Sequence, residues 1–149
     1  MDSKRIIGIV LIVIGVTVAV HTIVEPLYHV SSDAHPYSPL WTLLDPLMGL
    51  AIVLGLVVGY PRMKRASSAG PDAPVTWERL AATTMFYGFL GVGILFFWSW
   101  FNTMSISADF APGKGEDVSA LVWMIIDTLL PLLLGATGVS LLRDDTWER

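Results

Sequence analysis

The three histidines of the chain lie within one short stretch that also carries two acidic residues, in the order His21, Glu25, His29, Asp33 and His35. His21 and Glu25 are four residues apart, so on a helix their side chains share one face. Imidazole and carboxylate groups together suit Zn²⁺ or Cu²⁺ as ligands. The spacing matches no strict metal-binding signature such as HExxH, and histidines in a loop at a membrane surface are the alternative interpretation.

Two aspartates lie inside long apolar runs and form the second set of chemically notable residues. A charged side chain deep in a bilayer costs about 2.5–3.5 kcal/mol, so Asp45 and Asp127 must be paired, protonated or in contact with water. At 1.5 Å per residue, Asp45 lies roughly 8 Å and Asp127 roughly 12 Å inside the predicted spans. His21 lies roughly 6 Å inside its own span, in the same half of the membrane.

These depths predict one cluster of side chains near the outer membrane face. As candidate ligands of copper or zinc it would contain His21, Glu25, Asp45 and Asp127, with His29, Asp33 and His35 lining the entrance. A proton relay through the same residues is a second interpretation. In a third, each aspartate bonds a neighbouring Thr, Ser, Tyr or Trp side chain and only fixes the helix geometry.

Four apolar runs are the elements that would position this cluster. Hydrophobic residues make up 54% of the 149-residue chain and charged residues 15%, against roughly 25% charged in a typical globular protein. Each run approaches or exceeds the roughly 20 residues that cross a bilayer. The sequence therefore predicts an all-α integral membrane protein, a single-domain bundle of four transmembrane helices at about 6–25, 40–60, 77–101 and 118–142.

Local signals set the expected ends of these helices. Pro26 and Pro61 are predicted to end the first and second helices, because the residue before a proline is disfavoured in the α region. Thr76 is predicted to cap the third helix. The chain has no cysteine, which excludes disulfides and thiolate metal sites. Its only cationic cluster, at 62–65, lies beside a span, so no nucleic-acid partner is expected.

The distribution of basic residues predicts the orientation in the membrane. Eight of the nine lysine and arginine residues fall on one side of the predicted spans, and only Lys114 falls on the other. The eight are Lys4, Arg5, Arg62, Lys64, Arg65, Arg79, Arg143 and Arg149. By the positive-inside rule, both termini are cytoplasmic in a multi-pass plasma-membrane protein, and the histidine-containing loop faces outward.

A short internal repeat links the second and fourth spans. The segment LWTLLD at 40–45 matches VWMIID at 122–127, and each places an aspartate four residues after a tryptophan. Both segments run from the outside inward, which predicts two similar hairpins related as a parallel repeat. Small residues at four-residue spacing, such as Gly55 and Gly59, predict close helix packing, either inside the bundle or against a larger partner.

In its overall plan the chain resembles a small auxiliary subunit of a bacterial membrane oxidoreductase. Four short spans, cytoplasmic termini, no cysteine and a His/Asp-rich outer face are similar in outline to the fourth, non-catalytic subunit of actinobacterial copper membrane hydrocarbon monooxygenases. The resemblance implies an accessory or assembly subunit, with other integral membrane subunits and the lipid bilayer as partners. The catalytic subunits of that family carry an Asp-His-His copper site on a span. This chain has no such set, so catalysis is not implied.

A second class of function stays open at this stage. Small four-span proteins of the DoxX type are similar in size. A separate alternative is a small independent proton- or cation-coupled carrier that uses Asp45 and Asp127.

Overall fold

A computed structural model of the chain describes residues 3–30, 37–68, 74–104 and 116–144. Within those ranges all regular structure is helical, in four elements: α1 (Ser3–Tyr28), α2 (Trp41–Ser67), α3 (Trp77–Met104) and α4 (Glu116–Asp144). Each helix is long and apolar enough to cross a membrane. At 1.5 Å per residue each is about 40 Å long, enough to pass the hydrocarbon core of a bilayer and enter both interfaces. The predicted all-α, four-span bundle is confirmed.

Helices α1 and α2 continue past the prolines that were predicted to end them. Pro26 and Pro61 both lie inside helices, with α1 continuing to Tyr28 and α2 to Ser67. A proline removes only its own N–H and frees one carbonyl in the preceding turn. The remaining backbone bonds persist, and transmembrane helices commonly tolerate such a site. The predicted ends at 25 and 60 were therefore wrong as helix ends.

The predicted cap at the start of α3 is confirmed. The Thr76 side-chain oxygen accepts a hydrogen bond from the Arg79 backbone N–H at 3.2 Å. The Thr76 carbonyl accepts from the Leu80 N–H at 3.0 Å, which begins the helical bonding pattern. A polar residue thus satisfies one of the otherwise unpaired N–H groups of the first turn.

Helices α1 and α4 pack closely because glycines allow their backbones to approach. A Cβ atom added to Gly138 would lie 2.6 Å from the Gly8 carbonyl oxygen, and one on Gly15 would lie 3.2 Å from the Pro131 carbonyl oxygen. These pairs run in opposite order along the two helices, so α1 and α4 are antiparallel. Close backbone approach of this kind is what associates helices where lipid removes the hydrophobic incentive.

The second extensive pair is α2 with α3, while α1 and α2 touch much less. Gly55 of α2 accommodates the ring of Phe89, which would lie 2.6 Å from an added Cβ. Helix α3 in turn packs on α4, where Leu133 lies 2.9 Å from a Cβ on Gly88. Of the two explanations for the small-residue faces, these contacts support packing inside the bundle.

Charge divides the bundle into two ends. At the basic end α1 and α3 begin and α2 and α4 finish. Every lysine and arginine among the described residues lies there: Lys4, Arg5, Arg62, Lys64, Arg65, Arg79 and Arg143. At the opposite end, called here the acidic end, lie the finish of α1 and the start of α2. Between the ends runs an apolar core that includes Leu11, Met48, Ile52, Phe96 and Leu130, all fully buried.

Candidate functional site

A pocket of about 330 Å³ opens at the acidic end of the bundle and contains three of the predicted site residues. It lies where α1, α2 and α4 meet. Its walls are Glu25, Tyr37, Trp41, Asp45, Ser119, Trp123 and Asp127, and this set is called the acidic pocket below. Among the described residues, no lysine, arginine or histidine lines it.

The internal repeat explains how four of these side chains come to share one pocket. Trp41 and Asp45 are one helical turn apart on α2, and Trp123 and Asp127 are one turn apart on α4. Side chains four residues apart lie on the same helix face. Both faces turn toward the same space between the helices, so the two copies of the motif line a single pocket.

Glu25 is the residue that joins the end of α1 to the start of α2. Its Oε1 accepts a hydrogen bond from the Ser38 backbone N–H at 2.9 Å, and its Oε2 accepts from the Trp41 indole N–H at 2.8 Å. Bonds to an ionised carboxylate are roughly twice as strong as those between neutral groups. Both carboxylate oxygens are thus engaged in holding one wall of the pocket in place.

His21 belongs to a second network behind that wall. Its side chain is buried, and its Nδ1 lies 3.1 Å from the Tyr28 hydroxyl, which donates to Ser38 Oγ at 3.0 Å. The donor and acceptor roles of His21 Nδ1 and the Tyr28 hydroxyl depend on the imidazole tautomer. The imidazole also meets the Trp41 indole edge-on, with ring centroids 4.6 Å apart. His21 is therefore packed against Trp41 and does not line the pocket.

Two buried polar atoms near this end have no hydrogen-bond partner within the described part of the chain. They are His21 Nε2 and Asp127 Oδ1. A buried polar atom left without a partner costs about 1–3 kcal/mol. Each of these two atoms could therefore form a hydrogen bond with a bound group.

The electrostatics of the acidic pocket follow from its three carboxylates. The charges of Asp45 and Glu25 both act against a charged Asp127. Like charges at close range in a medium of low dielectric repel strongly. The pocket therefore favours a proton, a cation or a positively charged side chain.

The predicted metal ligands do not form a metal-holding group in the described structure. Within ranges 3–30, 37–68, 74–104 and 116–144, no three His, Asp or Glu side chains are arranged to hold a metal ion. Both carboxylate oxygens of Glu25 are bonded to Ser38 and Trp41, and His21 packs against Trp41. The copper or zinc site stays a prediction, since Asp33 and His35 lie outside the described residues.

The predicted entrance residues are only partly described. His29 directly follows α1, and its backbone N–H donates to the Glu25 carbonyl at 2.9 Å, but it does not line the acidic pocket. Asp33 and His35 lie outside the described residues.

Several residues at the acidic end were not predicted from the sequence as members of the site. Tyr28 lies seven residues after His21, two helical turns along α1, and this spacing was available in the sequence. Ser38 and Ser119 carry no comparable signal, because a lone serine near a helix end is common. Trp41 was noted for the repeat, yet its bond to Glu25 depends on how α1 and α2 meet.

Comparison of the chain with protein-family models, with curated proteins and with solved structures found no match.

Proposed function

We propose that this protein is a membrane-embedded accessory subunit that assembles with other integral membrane subunits through its acidic pocket. The observation that carries the proposal is Asp127 Oδ1, which is buried in a span and has no hydrogen-bond partner among the described residues. A charged group in a bilayer is costly unless it is paired. A basic or donor side chain on a span of a partner subunit would supply that pairing.

The rigid wall of the pocket supports the same function. Glu25 is held by Ser38 and Trp41, and Trp41 is held in turn against His21. Groups that are already fixed before binding lose less conformational entropy when a partner arrives. The network at the acidic end thus favours recognition of a side chain over chemistry of its own.

The larger assembly that we propose is a metal-dependent oxidoreductase of the copper membrane monooxygenase type. The support is the resemblance of the overall plan of four spans without a catalytic ligand set. In this arrangement the copper belongs to a catalytic partner subunit. No step of that chemistry is assigned to residues of this chain.

We further propose that the acidic pocket faces outward from the plasma membrane, with both termini cytoplasmic. The support is the collection of basic residues at one end of the bundle, which the positive-inside rule places in the cytoplasm. Ser67 finishes α2 at that end and is exposed. A membrane-impermeant thiol reagent should label a Ser67→Cys variant in opened cells only. Labelling of intact cells would contradict this orientation.

The assembly proposal is tested by purifying the tagged protein from its own membranes in mild detergent and identifying co-purifying chains by mass spectrometry. Stoichiometric membrane subunits are expected. Asp127→Asn should reduce their recovery by at least about tenfold, the effect of losing about 1.4 kcal/mol of pairing free energy. Ser119→Ala is the control, because it changes an uncharged residue of the same pocket. A homogeneous particle containing only this chain would overturn the proposal.

A second function is favoured by the grouping of Glu25, Asp45 and Asp127 around one open pocket with no basic residue among its described walls. Such a pocket suits a small carrier that binds a proton or a cation. The purified protein in liposomes would then transport protons or monovalent cations without any partner, and Asp45→Asn would abolish the transport. Inactive liposomes together with a stable complex in the first experiment would decide for the accessory subunit.

A further inference from the structure

A pocket larger than the acidic pocket lies at the basic end of the bundle. Its volume is about 560 Å³, and it is enclosed by α2, α3 and the last turns of α4. It is called the basic-end pocket below. Nothing in the proposed assembly function uses it.

The described residues at the mouth of the basic-end pocket carry a net positive charge. Among them, Arg62 and Arg65 of α2 are basic and Glu78 of α3 is acidic. Trp77 also lines the mouth and is 79% exposed. An exposed tryptophan at the end of a membrane span is typical of the lipid headgroup level. The mouth therefore lies where phosphate groups of lipids are found.

The deeper walls of the pocket are apolar. They are formed by Ala82, Met85 and Phe89 of α3 together with Gly55 and Gly59 of α2. Arg65 and Gly55 are ten residues apart on one helix, which sets the depth of the pocket at about 15 Å. Glycine and alanine leave this space open, since a larger side chain at those positions would fill it.

We propose that the basic-end pocket binds an anionic phospholipid, with the phosphate at Arg62 and Arg65 and part of an acyl chain between α2, α3 and α4. Arginine guanidinium groups bind phosphate oxygens in a two-pronged geometry. A basic mouth above a long apolar cavity complements an amphiphile with an anionic head. A free phosphate ion would use the mouth and leave the apolar depth empty, which favours the lipid.

The test uses native mass spectrometry of the purified chain in detergent with equal amounts of dioleoyl phosphatidylglycerol and dioleoyl phosphatidylcholine. The wild-type protein should retain phosphatidylglycerol preferentially. Arg62→Gln combined with Arg65→Gln should lower this preference by about 25-fold, because one basic residue near an anionic lipid contributes about fivefold. Lys64→Gln is the control, since Lys64 lies between the two arginines and does not line the pocket. It should lower the preference by about fivefold at most.

A second variant tests the apolar depth without removing charge. Gly59 lines the pocket, and the atom nearest to a Cβ on it is in Phe86 at 3.7 Å, so Gly59→Leu should reduce the apolar space. It should lower retention of both lipids, whereas Gly91→Leu should not, because a Cβ on Gly91 meets nothing within 4 Å. The proposal is overturned if Lys64→Gln acts as strongly as the double variant, or if Gly59→Leu retains lipid normally. If inorganic phosphate displaced phosphatidylglycerol as well as free phosphatidylglycerol does, the lipid assignment would likewise be overturned.

Discussion

The two pockets of this bundle differ in which side chains supply their charge and in how far those side chains reach. The acidic pocket takes its charge from short side chains inside the spans, and Glu25 is fixed by two hydrogen bonds. The basic-end pocket takes its charge from long arginines at the end of α2, above an apolar cavity. A carboxylate on a short side chain has little reach, whereas an arginine near a helix end extends to the interface. The acidic pocket therefore suits one fixed partner group, and the basic-end pocket suits an amphiphile.

The largest change expected comes from removing the carboxylate that fixes the acidic pocket. Glu25→Ala leaves the Ser38 N–H and the Trp41 indole N–H without an acceptor. At about 1–3 kcal/mol for each buried donor, the free energy of unfolding should fall by about 3 kcal/mol. The measurement is unfolding in mixed micelles followed by tryptophan fluorescence.

Glu25→Gln sharpens the same test, because its amide keeps one oxygen acceptor. It should lose about half as much stability as Glu25→Ala, and both variants should keep the lipid preference of the basic-end pocket. Unchanged stability of Glu25→Ala would contradict the structural role of this residue. A change in lipid preference would show that the two pockets are not independent.

The next effect concerns the floor of the basic-end pocket. A Cβ on Gly55 would lie 2.6 Å from the Phe89 ring, which is almost completely buried. Gly55→Ala should therefore destabilise the protein by about 2 kcal/mol, within the range of overpacked cores. Thermal unfolding in detergent measures this change. Gly91→Ala is the matched control and should not destabilise, because a Cβ there meets nothing within 4 Å. Equal behaviour of the two alanine variants would contradict the packing of α2 on α3.

Removing the charge of Asp127 in the acidic pocket should have a smaller effect on stability, and of opposite sign. Asp45 and Glu25 repel a charged Asp127, so Asp127→Asn should raise the free energy of unfolding of the isolated chain by about 1 kcal/mol. The comparison is made by thermal unfolding at mildly alkaline pH, with Ser119→Ala as the reference. Greater stability of the isolated chain with weaker assembly would show that Asp127 serves binding. Destabilisation would instead assign Asp127 a structural role.

The smallest effect is expected in the network behind the pocket wall. Tyr28→Phe removes the hydroxyl that joins His21 to Ser38. Because Tyr28 is half exposed, water replaces part of the lost bonding, and a loss of only about 0.5 kcal/mol is expected. Equilibrium unfolding in micelles with repeated measurements resolves it. A loss as large as that of Glu25→Ala would contradict the ranking of these two networks.

Most of the residues that line the acidic pocket could be predicted from the sequence, whereas the hydrogen bonds of Glu25 and His21 could not. The repeat placed Trp41 with Asp45 and Trp123 with Asp127, and helical spacing alone puts each pair on one face. Sequence reasoning assigned Glu25 and His21 to a metal because their residue types permit it. Their partners Ser38, Tyr28 and Trp41 depend on how the end of α1 meets the start of α2, which no local spacing encodes.

The sequence by itself determined the membrane class, the four helices and the start of α3 at Thr76, because hydrophobic runs, charge segregation and capping act over a few neighbouring residues. Only the tertiary structure decided that α1 packs on α4 through Gly8, Gly15 and Gly138. It alone decided that α2 continues through Pro61, where Arg62 and Arg65 form the mouth of a pocket. Helix pairing in a bilayer depends on the fit between distant surfaces, and that fit exists only once the bundle has formed.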